Sequence, residues 1–140
     1  TQAVLARMED DIVPIFLEVA QGELKRDRLN FRADSSLTVV LASKGYPGSY
    51  AQGFPIEGLE SFEFLNDIIV FHAGTKKEGS GKFVTAGGRV LNVTALAGSL
   101  SEASEKAYRA MGKIYCENLF CRKDIGKRAI EGKSRLKNGA

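Results

Sequence analysis

The segment Lys82-Phe-Val-Thr-Ala-Gly-Gly-Arg-Val-Leu-Asn-Val93 places two β-prone runs on either side of Gly87-Gly88, with Arg89 directly after the glycines. Aromatic and β-branched residues suit a pleated, half-buried surface, so Lys82–Thr85 and Arg89–Val93 are predicted strands joined as a hairpin. A glycine pair permits φ > 0 and leaves room for close approach by a ligand or another chain segment. An arginine fixed just after such a turn offers a planar fork of donors suited to a phosphate or carboxylate. Taken alone, the same residues also describe a commonplace turn followed by a solvated charge.

Upstream, Ile68-Ile-Val-Phe-His-Ala73 and Leu37-Thr-Val-Val-Leu-Ala42 are apolar, β-branched runs bounded by small polar residues, and both read as strands. Between them, Ser43-Lys-Gly-Tyr-Pro-Gly-Ser-Tyr50 sets glycines on both sides of Tyr46-Pro47, which predicts a tight turn. This is either a strand-exit loop or a loop shaped to lie against a ligand with Tyr46 as a flat wall. Downstream, Ser99-Leu-Ser-Glu102 has the form of a capping box. Leu100, Ala103, Ala107, Met111 and Ile114 follow on one helical face, predicting a helix over Ser101–Asn118. These elements predict an α+β fold: a small, mainly antiparallel sheet holding all four strands, with that helix packed on it.

At the other end, Leu5, Met8, Ile12, Phe16 and Val19 keep a three-and-four spacing that argues for helix. Pro14 prevents one continuous rod, and Asp10-Asp11 can cap a second segment whose first turn accepts proline. The expectation is a short helix, a bend, and a helix ending near Gly22. Residues 23–35 are polar and without periodicity, a connector. The abrupt helical start predicts a chain cut from something longer.

With 44% apolar and 26% charged residues in 140, the composition is that of one folded domain rather than a disordered segment. No apolar run approaches the length of a membrane span, and no leader pattern is seen, so the expectation is a cytoplasmic protein with no membrane partner. The net charge of +3 is concentrated at residues 122–140. That tail lacks interleaved aromatics and argues against a nucleic-acid partner. Cys116 and Cys121, with a single histidine in the chain, make a poor zinc set and read as free thiols. His72 sits on a predicted strand with no nucleophile elbow nearby, so it reads as a packed, hydrogen-bonded histidine.

Several ordered blocks together resemble the C-terminal part of the phosphoribosylamine–glycine ligase (glycinamide ribonucleotide synthetase) family, within the ATP-grasp superfamily. They are the Gly-Gly-Arg element, Gly45-Tyr-Pro-Gly-Ser-Tyr50 after its strand, Gln52-Gly-Phe-Pro-Ile-Glu-Gly-Leu59, Phe71-His-Ala-Gly-Thr75, and Arg122-Lys-Asp-Ile-Gly126. The likeness runs from Thr1 to about Ala129. It departs at Lys44, where glycine is common, and at Cys121, where an aromatic is usual. By this resemblance residues 1–22 are the helical end of an ATP-grasp domain, 23–35 the connector and 36–130 the C-terminal domain. Residues 131–140 match nothing and are expected to be a disordered tail.

The resemblance implies an enzyme that joins glycine to 5-phosphoribosylamine in de novo purine synthesis, using ATP and Mg2+. The family's metal-binding glutamate and asparagine would lie ahead of Thr1, so no metal ligand and no catalytic residue is expected here. Residues 1–140 alone are expected to be inactive and to hold no cofactor. What the segment would supply is part of the wall against the phosphorylated acceptor, with Arg89, Gly87, Gly88, Tyr46 and Lys76 as the substrate-binding residues. Lys77 is a second loop cation of the same kind, and Arg122 with Asp124 forms either part of a site or a structural ion pair. The alternative is a non-catalytic module that binds a phosphosugar or a partner through the same loops.

Overall fold

A computed structural model describes residues 1–137. Its centre is β6 (Arg89–Ala97), in which every residue but the first is buried. It lies between β3 (Ile68–His72) and β1 (Ser35–Ser43), antiparallel to both, and β7 (Leu119–Phe120) completes a four-stranded sheet in the order β3-β6-β1-β7. A strand hydrogen-bonded on both edges and covered on both faces must be apolar almost throughout, and Val90-Leu-Asn-Val-Thr-Ala-Leu-Ala97 nearly is.

α3 (Leu100–Met111) covers one face. Ser99 caps it as expected: its hydroxyl accepts from Glu102 N–H at 3.2 Å, and the Glu102 carboxylate accepts from Ser99 N–H at 3.1 Å. Ala103, Ala107, Ala110 and Met111 are its buried residues. Three alanines on that stripe let the helix axis lie close over Leu37, Val39, Leu91 and Val93, which share its core. Each fully buried valine or leucine there contributes about 1.5–3 kcal/mol.

The other face meets the N-terminal segment, where Ser36 Oγ donates to Ala3 O in α1 (Gln2–Leu5) and Thr38 and Thr94 hydroxyls bond at 2.7 Å. α2 (Ile12–Gln21) follows the predicted plan. The Asp11 carboxylate accepts from Val13 N–H at 2.9 Å, Pro14 sits in the first turn, and Gly22 closes the helix at φ +72°. Ile15 is the buried residue of α2, whereas Val13, Phe16, Leu17 and Val19 are exposed. No helix of the described residues is long and apolar enough to cross a membrane.

Two expectations are corrected. Lys82–Thr85 and Arg89–Val93 do not form a hairpin in one sheet. β5 (Phe83–Thr85) belongs to a second, three-stranded antiparallel sheet with β2 (Pro55–Ile56) and β4 (Thr75–Lys77). The true hairpin is β4–β5, closed by Glu78 N–H to Lys82 O at 2.9 Å. Gly87-Gly88 is instead the crossing from one sheet to the other, and neither glycine has positive φ. The helix also stops at Met111 rather than Asn118. Beyond it Tyr115 exchanges two backbone hydrogen bonds with Glu57, and that pairing with a distant segment overrides the helical spacing of Ile114.

The two crossings between sheets touch. A Cβ on Gly74 would stand 2.6 Å from Gly87 Cα and 2.7 Å from Arg89 O, so the chain needs glycine for proximity rather than for a left-handed turn. At the C-terminal end the Tyr108 hydroxyl donates to Arg122 O at 2.8 Å and accepts from Ile125 N–H at 3.1 Å. α4 (Lys127–Lys137) follows, so helix continues through 131–137 where a disordered tail was expected; residues 138–140 lie outside the described residues.

Gly74→Ala should therefore cost about 1–3 kcal/mol through backbone overlap and lower Tm by several degrees in a thermal melt. Gly79→Ala, with no atom within 4 Å of a new Cβ, should leave Tm near the parent value. A second expectation concerns acid. Lys106 Nζ donates to Asp67 at 2.6 Å and to Leu96 O at 2.9 Å, and its hydrogen bond holds the Asp67 carboxyl below its usual value of 3.8. A depressed folded pKa adds stability above the unfolded value that is lost as pH falls through the folded one. Both side chains are substantially exposed, so the contribution stays below about 1 kcal/mol. Denaturant titrations at pH 6 and pH 3 should show a smaller acid loss in Asp67→Asn than in the parent.

Candidate functional site

Where the sheet crossings meet the N-terminal segment, a cleft of about 730 Å³ opens, lined by Thr1, Gln2, Tyr46, Ala73, Gly74, Gly88, Arg89 and Asn92. Its backbone is pinned on both sides. Ser43 N–H donates to Gly88 O and Ser43 Oγ to Gly87 O, both at 2.8 Å, and Gly74 N–H donates to Arg89 O at 2.8 Å. The Tyr46 ring lies close against Gly88: a Cβ there would come within 2.2 Å of the ring. Gly45, at φ +98° and under the Ser49 carbonyl, brings Tyr46 round to that position. The glycine pair thus serves the close approach read from the sequence, with Tyr46 and Gly74 as the approaching groups.

Arg89 enters this cleft because of a bulge. The register pairs Leu41 with Leu91 but Ala42 with Arg89, so β6 carries one extra residue at Val90. Val90 and Leu91 are both in the core despite being consecutive. Strict alternation would send Arg89 to the side of Leu91 and Val93, under α3. The inserted residue turns it to the side of Asn92 instead, the kind of redirection for which bulges are used beside sites. The Arg89 guanidinium pairs with no carboxylate among the described residues, and no carboxylate lines the cleft.

Of the other residues marked by sequence, Gly87, Gly88 and Tyr46 are brought to Arg89, and Lys76 is not. Lys76 is exposed on β4, opposite Val84 and two residues beyond Gly74. Lys77 lies 5.7 Å over the Phe83 ring. His72 is exposed at the end of β3, where it shares a hydrogen bond with Thr75 Oγ1 at 2.9 Å and lies 4.4 Å from Phe83, and partial burial pushes its pKa down; it is hydrogen-bonded as expected but not packed in the core. Arg122 and Asp124 make a two-pronged exposed ion pair at 3.0 and 2.7 Å that fixes the chain entering α4. Cys116 and Cys121 are unpaired thiols, and burial pushes Cys116 up.

Sequence reasoning missed Asn92. It is 6% exposed, stands in a mostly apolar strand, and its side-chain amide makes no hydrogen bond among the described residues. The signal was a lone carboxamide between Leu91 and Val93. A second depression of about 760 Å³ lies between the two sheets, walled by Leu59, Phe62, Ile68, Val70 and Phe83 with Glu57, Glu60 and Glu63. It is slightly larger, but its charges are mostly negative and face no convergent donor set. Arg89 makes the smaller cleft the better anion site. Among the described residues no group of three or more histidines, cysteines or carboxylates is placed to hold a metal ion.

The family described as phosphoribosylglycinamide synthetase, C domain, matches residues 36–128. A phosphoribosylamine–glycine ligase of Caulobacter vibrioides is 46% identical over 131 residues, covering 93% of this chain and 30% of that protein. The Escherichia coli O157:H7 protein of the same name is also 46% identical, covering 94% and 30%. The crystal structure of the phosphoribosylamine–glycine ligase of Thermotoga maritima superposes with a TM-score of 0.68 at 33% identity, over 81% of this chain and 27% of that one. The chain thus spans about a third of the length of such relatives. By its match over residues 36–128, the chain belongs to the phosphoribosylglycinamide synthetase C-domain family.

Proposed function

We propose that the protein carrying this chain is an ATP-dependent ligase that joins glycine to 5-phosphoribosylamine in purine synthesis, in the cytoplasm. In this reading the chain supplies part of the wall that holds the phosphorylated acceptor. The observation that carries the reading is Arg89: a cation with no carboxylate partner among the described residues, set in a cleft whose backbone is hydrogen-bonded on both sides. With the backbone beneath the donor fork already fixed, only the side chain has to be ordered on binding. Gly87 and Gly88 keep that approach free of side chains, Tyr46 forms its flat side, and Lys76 adds positive field from β4.

The reaction transfers the ATP γ-phosphoryl group to the glycine carboxylate, giving glycyl phosphate and ADP. The amine nitrogen of the acceptor then attacks the acyl carbon, the C–N bond forms, and phosphate leaves with the C–O electron pair while the nitrogen gives up a proton. ATP and Mg2+ supply the activating chemistry, and their ligands would come from the preceding nucleotide-binding domain. Residues 1–22 belong to that domain, whose packing would cover Val13, Phe16, Leu17 and Val19. The part played by residues 36–130 is orientation: holding the phosphate end places the amine.

Arg89→Ala in the whole ligase should raise the apparent constant for phosphoribosylamine ten- to a hundredfold. That follows from losing a charge-assisted contact of about 1.5–3 kcal/mol. The constants for ATP and glycine should hold, and Arg89→Lys should recover part of the loss. Steady-state kinetics at matched folded concentration decides it: unchanged acceptor kinetics with a lower Tm would move Arg89 to the scaffold. Residues 1–140 alone should show neither ATP hydrolysis nor ligation, and turnover above a blank would place catalysis in this chain.

A further inference from the structure

The cleft contains one group that the anion-binding role of Arg89 leaves unused. Asn92 is nine-tenths buried in β6 and lines the same wall as Arg89, and its carboxamide makes no side-chain hydrogen bond among the described residues. No fully buried side-chain nitrogen or oxygen there lacks a partner, so the amide atoms reach the cleft surface, where a ligand can meet them. A leucine or valine would extend the run Val90, Leu91, Val93 more favourably at that position. The carboxamide faces the cleft alongside Arg89 only because of the Val90 bulge, which sets the two side chains on one side within about 10 Å of strand rise. That spacing suits a ligand with an anionic end and a neutral hydroxyl-bearing end, and a carboxamide both donates to and accepts from hydroxyls.

We infer that Asn92 is a specificity-determining residue that hydrogen-bonds the hydroxyl-bearing body of the sugar whose phosphate Arg89 holds. The inference rests on the proposal that this cleft takes a phosphorylated sugar. It separates two contributions: Arg89 binds any phosphate, and Asn92 distinguishes a sugar phosphate from phosphate alone. In the reaction it acts by positioning, since it touches the acceptor's sugar and not the reacting nitrogen.

The test uses the whole ligase, with ribose 5-phosphate and inorganic phosphate as probes and calorimetric dissociation constants as the readout. Asn92→Ala should weaken ribose 5-phosphate about three- to tenfold, the range for one or two neutral hydrogen bonds, and leave phosphate unchanged. Asn92→Leu, with the same branching and number of side-chain heavy atoms, should weaken ribose 5-phosphate similarly while Tm holds or rises, so lost folding cannot imitate the effect. Arg89→Ala should weaken both probes. If Arg89→Ala weakens both but neither Asn92 variant changes ribose 5-phosphate, the inference fails and the anion site stands. If the Asn92 variants weaken both probes equally or mainly lower Tm, the amide is bonded within the protein and the inference also fails. If no variant alters either probe, the sugar-phosphate reading of the cleft falls with it.

Discussion

Everything in this structure depends on β6 being enclosed on four sides. Hydrogen bonds to β1 and β3 occupy its two edges, α3 covers one face, and the other face, buried as well, lies beside the place where α1 packs on β1. A strand so placed admits no charge along its length. The single exposed residue is its first, Arg89. The same enclosure that stabilises the domain therefore delivers a cation to the margin of the sheet with its backbone already fixed. Rigidity and presentation have one origin.

The second sheet serves this arrangement. Because β4 and β5 form their own hairpin, the chain must leave the main sheet at Ala73-Gly74 and return at Ala86-Gly87-Gly88. The two passages can share the available space only because no side chain stands where they touch, which is the physical content of Gly74 and Gly87. Tyr46 then fills the remaining volume over Gly88. Residues distant in sequence become one wall because each leaves room for the next.

Much of this was legible beforehand, and the failures have identifiable causes. Leu37–Ala42 and Ile68–Ala73 were plain because β-branched runs bounded by small residues have few alternatives, and Ser99 with Glu102 announced α3. The continuation of β6 through Thr94–Ala97 was missed because alanines carry little strand signal; its burial comes from the alanines of α3 opposite. The hairpin was misassigned because sequence adjacency across Gly87-Gly88 says nothing about which sheet each strand joins. β2 and β7 have two residues each and no periodicity to detect. At the site, Arg89, Tyr46 and the glycines were visible as chemical types. Asn92 was not, since its meaning depends on burial and on a bulge that only the register against β1 reveals.

The bulge also changes what variation in β6 means. Along most of the strand, side-chain identity decides the consequence of a change. At Val90 the count of residues decides it. Removing one residue there would leave the ladder with β1 intact and restore simple alternation, with Arg89 still opposite Ala42 and still on the side of Asn92. What would change is spacing: the guanidinium and the carboxamide would become next neighbours on one face, about 7 Å apart along the strand instead of about 10 Å. An alignment scored by residue identity would register one gap, while the cleft would have been refitted to a shorter ligand.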